Sequence, residues 1–168
     1  MNKILLLLTL MAISFIGLSQ DRKLDSINFP KLKGKLPWPI EGGKVYIPFG
    51  RDKKHHSYYD NQGISLKTTV GALVKCVANG EVIAVMDLDD YWVVMVKHGK
   101  YYTAYNKLAI VNVKKGDNVK AGTVLGKVAA DIDGEGSLDF QIFNNQQLYL
   151  DPEKWLTKNT SINSSFSR

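Results

Sequence analysis

The chain has 168 residues, room for one domain of ordinary size and too few for a second independent core. Hydrophobic residues make up 45% and charged residues 23%, a balance that excludes disorder along most of the length. The formal net charge of +6 favours acidic partners, and no recognition helix or basic stripe interleaved with aromatics points to nucleic acid.

Lys3 precedes a nearly unbroken apolar run from Ile4 to Leu18, with small Gly17 and Ser19 placed for cleavage before Gln20. Residues 1–19 therefore read as a secretory signal peptide, since the run is short of the roughly 20 apolar residues that span a bilayer. The mature chain is expected to be exported, periplasmic or extracellular, with no transmembrane segment. Its removal takes away only Lys3, so the remainder stays basic. Residues 20–33 are charged and unpatterned and read as a leader, with Pro30, Pro37 and Pro39 punctuating the approach to the domain.

From there the chain alternates short β-type runs with Gly, Asn and Asp: 45–47, 63–66, 72–77, 81–86, 91–97, 101–105, 123–128 and 138–143. Such spacing predicts an all-β domain over 34–157. Asn79-Gly80, His98-Gly99 and Lys115-Gly116-Asp117 read as tight turns that set strand register. The single cysteine, Cys76, lies in the apolar stretch 72–78 and is expected as a buried thiol, with no intrachain disulfide possible. Asp151 and Pro152 provide a cap and a first turn for one short C-terminal helix, with Trp155 and Leu156 pinning it to the sheet. Residues 158–168 form a polar tail.

Four ordered blocks carry a family likeness. They are Leu36-Pro37-Trp38-Pro39 with Phe49-Gly50; Asn61-Gln62-Gly63-Ile64-Ser65; the run from Tyr102 to Leu108; and the run from Leu138 to Ile142. A fifth, from Val113 to Gly126, lies between the last two. Together they resemble the lysostaphin-type (LytM) endopeptidase domain. The resemblance implies a duplicated-hybrid-motif-like β-sandwich with an antiparallel sheet and a groove.

In that family the block beginning at Asn61 reads His-x-Gly-x-Asp and supplies two zinc ligands; here the two positions are Asn61 and Ser65. The last block reads His-x-His, of which the second His is the third ligand; here the positions are Ser137 and Asp139. The family's third-block His is Lys107. Zinc is held by imidazole, thiolate or carboxylate, and a hydrolytic centre needs about three such ligands. A neutral amide, a hydroxyl and one carboxylate do not provide them, so no cofactor is expected. Lys107 and Asp139 are instead expected to face one another as an ion pair across the groove.

Lys33-Gly34-Lys35-Leu36-Pro37-Trp38-Pro39, with Asn at the first ligand position, is similar to the EnvC-type branch. Its degenerate LytM domains activate N-acetylmuramoyl-L-alanine amidases. The resemblance implies a non-catalytic groove lined by Asn61, Ser65, Lys107, Ser137, Asp139 and Gln141, which binds an amidase or peptidoglycan. The EnvC-type coiled coil has no counterpart in residues 21–33. Two other readings stay open: a working zinc endopeptidase that recruits His55, His56 and Asp60, and a purely structural wall-binding module using aromatics such as Tyr58, Tyr59 and Tyr101.

Overall fold

The computed structural model describes residues 28–51 and 60–158. The apolar N-terminal segment, His55, His56, Tyr58, Tyr59 and residues 159–168 lie outside the described residues, as does the side chain of Asp60.

Among the described residues the chain is β-structure with almost no helix. Its strands are β1 (Lys44–Ile47), β2 (Gly50–Arg51), β3 (Asp60–Asn61), β4 (Ile64–Thr68), β5 (Leu73–Lys75) and β6 (Gly80–Asp87). There follow β7 (Trp92–His98), β8 (Tyr101–Val111), β9 (Asn118–Val119), β10 (Val124–Val128), β11 (Gly136–Asn144) and β12 (Tyr149–Leu150). The main path runs β1-β4-β11-β8-β7-β6-β9, antiparallel throughout. β8 is long enough to serve two partners on one side: its first half pairs with β11, its last residues with β10, which in turn pairs with β5. One apolar cluster joins these parts, with Leu66, Phe140, Tyr105 and Val94 from the main path meeting Val74 and Leu125 from β5 and β10. Cys76 is buried in it.

Alternation builds this core. Leu138, Phe140 and Ile142 of β11 are fully buried while Asp139, Gln141 and Phe143 on the other face are half-buried, the period of two that a pleated strand imposes. Gly63 allows β4 to meet β11 closely, since a Cβ there would collide with the Phe140 carbonyl oxygen.

Three expectations change in detail. The C-terminal helix is a single 3-10 turn, Pro152–Lys154, capped by the Asp151 carboxylate at 3.1 Å from the Glu153 amide. It ends there because Trp155 and Leu156 must turn inward to the core, where both are buried. Asn79-Gly80 is not a positive-φ hairpin turn: Gly80 opens β6, and its missing side chain lets it lie against the Lys97 carbonyl. His98-Gly99 does close the β7–β8 hairpin, with Gly99 at φ 69°. Finally, the packed unit reaches back to a 3-10 turn at Phe29–Leu32. The Phe29 ring is fully buried, stacked on His98, Tyr101 and Trp155 at 4.9, 5.1 and 5.2 Å between centroids. Tyr101 is thus part of the packing and not an exposed aromatic.

Candidate functional site

The register of three adjacent strands assembles the site. Asp139 in β11 lies opposite Ser65 of β4 on one side and Asn106 of β8 on the other. The Ser65 hydroxyl donates to one Asp139 carboxylate oxygen at 2.6 Å. Asn106 fastens the same strand through its amide, 3.2 Å from the Asp139 carbonyl. The second carboxylate oxygen is 3.0 Å from the Lys107 ammonium. Lys107 and Asp139 side chains each keep 33% of their surface exposed, so the pair contributes at most about 1 kcal/mol to stability.

Lys107 reaches this position through an irregularity. Four residues of β8, Tyr105 to Leu108, span the distance that three cover in β7, Trp92 to Val94. Lys107 takes up the excess with φ 68°, a left-handed conformation uncommon for a side-chain-bearing residue. Its carbonyl accepts the Ala129 amide at 2.9 Å, where β8 leaves β11 and turns to β10. The bulge aims the lysine at Asp139.

The other candidate residues take separate places. Ser137 is on the same β11 face as Asp139, opposite Lys67, 2% exposed; its hydroxyl has no hydrogen-bond partner among the described residues. Gln141 follows on that face and covers Gly63. Asn61 does not converge on Asp139: its amide donates to the Pro48 carbonyl at 3.1 Å and accepts from the Gly63 amide at 3.3 Å. It organises a turn, the usual local use of an Asx side chain. His55, His56 and Asp60 cannot be placed relative to the site, because their side chains lie outside the described residues.

Sequence reasoning missed three contributors. Asn106 ties down β11, and Lys67 sits opposite Ser137, pairing with Glu135 and lying over the Tyr46 ring at 5.0 Å. Tyr102 and Phe143 stack at 5.3 Å, with Tyr149 next to Phe143 at 5.4 Å. Phase along β11 is the signal that finds the last group, since Phe143 shares the odd-numbered face with Asp139. Two shallow cavities beside Pro37, of about 340 and 380 Å³, are lined by none of the six groove residues.

The donor set does not suit zinc. Both Asp139 oxygens are engaged, Asn61 is committed to backbone, Ser65 is a neutral donor to the carboxylate, and an ammonium stands beside it. A cation in that position opposes a metal ion, and amide and hydroxyl oxygens are weak ligands for it. No group of three or more His, Cys, Asp or Glu side chains that could hold a metal is present among the described residues.

Fold and site together define a lysostaphin-like, all-β peptidase-type domain. Residues 59–152, more than half of the chain, match Peptidase family M23, and the chain belongs to that family. NMB1333, an uncharacterized protein of Neisseria meningitidis serogroup B, is 33% identical over 130 residues, covering 76% of this chain and 21% of its own length. The chain thus spans about a fifth of that relative. A chain of the SpoIIQ-SpoIIIAH pore forming complex is similar at TM-score 0.65 and 21% identity, over 82% of this chain and 99% of that one. Lysostaphin is similar at TM-score 0.63 and 18% identity, over 78% and 61%. These structural likenesses show the fold.

Proposed function

We propose that this chain is an exported, non-catalytic M23-family domain of the EnvC-like kind, whose groove binds a cell-wall amidase and raises its activity, or binds peptidoglycan itself. The observation that carries this reading is the 3.0 Å Lys107–Asp139 pair, at two positions where the family resemblance expects imidazoles. Hydrolysis by the family's route needs a metal to bring the pKa of water from 15.7 to about 7, and the donor set here gives that metal no seat. What the groove retains is a shaped polar surface with charges of both signs, suited to gripping a chain. A similar chain that occurs in a complex named for two proteins, SpoIIQ and SpoIIIAH, supports a protein partner.

The test is release of dye from labelled peptidoglycan, with the protein added alone and together with each amidase of the same cell. The expected result is no release alone and a several-fold rise in release by one amidase. Release by the protein alone that a chelator abolishes would instead establish a peptidase using His55, His56 or Asp60. Co-sedimentation with peptidoglycan and no effect on any amidase would establish a wall-binding module.

A further inference from the structure

The larger of the two cavities beside Pro37 lies apart from the groove residues and is bordered by unpaired positive charge. Its walls are apolar: Leu32, Leu36 and Pro37 come from the N-terminal segment, and Val77, Ala78 and Ala121 from the turns after β5 and before β10, around about 380 Å³. Lys35 and Asn79 are the polar members of the lining, and no carboxylate belongs to it. Lys31 and Lys33 flank Leu32 in the chain and Lys120 precedes Ala121; all three are exposed, as is Lys35. The ion pairs among the described residues engage Lys67, Lys75, Lys107, Lys114 and Lys154, so these four lysines have no carboxylate partner there.

The segment that carries three of them is held in place. Phe29 is buried against His98, Tyr101 and Trp155, and Leu36 is tied to Trp155 and Thr157 by backbone hydrogen bonds of 3.0 and 2.8 Å. The lysines therefore project from a fixed turn that needs no ordering on binding. Asn79 accepts the Ala121 amide at its side-chain oxygen, 2.9 Å away, which leaves its NH2 as a donor for an incoming acceptor. An apolar hollow beside lysines without counter-charges is a surface completed from outside. Its concavity decides by what. A lipid surface is entered by apolar side chains that protrude, whereas here Leu32 is half-buried and Leu36, Val77 and Ala78 are buried.

We infer that this surface docks an acidic segment of a partner protein. One aliphatic or aromatic side chain of the segment enters the hollow, and carboxylates on either side of it meet Lys31, Lys33, Lys35 and Lys120. The site is separate from the groove and stands whether or not the groove binds an amidase. The net charge of +6 draws such a segment from a distance, and contacts through exposed lysines weaken as salt is added.

The test selects binders from a displayed library of random twelve-residue peptides on the purified protein and measures the best of them by fluorescence anisotropy. The expected peptides carry one aliphatic or aromatic residue with two or more acids within three positions of it. Binding is expected to be at least tenfold weaker to K31E/K33E/K35E and to A121L, which fills the hollow from its exposed wall, with the urea midpoints of both unchanged. Binding to K107M is expected to stay within threefold of the unaltered protein. A library without binders, selected peptides without acids, or acidic peptides that bind A121L as well as the unaltered protein overturn the inference. Loss of binding in K107M alone would put the peptide in the groove and overturn it too. So would vesicles of phosphatidylcholine and phosphatidylglycerol that sediment the unaltered protein and A121L alike but not K31E/K33E/K35E, since the lysines would then read a lipid surface.

Discussion

His98 shows how one side chain can be both structural and titratable. Its Nδ1–H donates to the Asn79 carbonyl at 2.6 Å and its Nε2 lies 2.9 Å from the Thr103 hydroxyl, under the Phe29 ring. Burial holds its pKa down at about 4, from an ordinary 6.5, with the Asn79 carbonyl opposing the shift. Because the folded chain resists protonation that the unfolded chain accepts, stability is complete above pH 6.5 and is lost as the pH falls toward 4. The full loss amounts to about 3 kcal/mol. Urea midpoints at pH 7, 5.5 and 4.5 are expected to decline in the unaltered protein and to decline less in H98Q; equal declines would remove His98 as the cause. Lys107 offers a second check at this scale. Its φ of 68° disfavours any residue with a Cβ, so K107G is expected to be more stable than K107A by about 1 kcal/mol, read from urea unfolding. Parity between them would mean that the bulge relaxes. The His98-Gly99 turn was legible in the sequence, but the positive φ of Lys107 was not, since a lysine carries no mark of it, nor was the unpartnered Ser137, which depends on neighbours more than 60 residues away, such as Lys67.

Among the elements, the strands were the most legible part, because β-branched and aromatic runs broken by Gly and Asn leave few alternatives. The sequence runs at 45–47, 81–86 and 138–143 fall within β1, β6 and β11. The two-residue strands β2, β3, β9 and β12 were not foreseen, since pairs this short have no period to detect. The segment before Gly34 was the larger surprise. Its charged, unpatterned composition reads as a leader, yet Phe29 inserts into an aromatic stack with His98, Tyr101 and Trp155. One buried ring is enough to make this turn part of the core and too little to create a sequence pattern. F29A is therefore expected to cost about 3–5 kcal/mol, the range for emptying a buried phenylalanine site. A change under 1 kcal/mol in urea unfolding would mean that the turn only rests on the domain.

At the scale of the whole molecule, the family frame came through from the ordered blocks, and membership of Peptidase family M23 agrees with them. The resemblance sets Asn61, Ser65, Lys107, Ser137 and Asp139 at that family's five metal and catalytic positions. How those residues are arranged required the fold. Ser65 and Lys107 both turn to Asp139, whereas Asn61 turns away to Pro48. The central claim is that the frame persists while its metal-holding chemistry has been replaced. Zinc titration with metal analysis, run on the unaltered protein and on N61H/S65D/K107H/D139H side by side, tests it most directly. The account predicts no stoichiometric zinc in the unaltered protein and one zinc per chain in the variant; one tightly held zinc per chain in the unaltered protein, released by chelator, would contradict it.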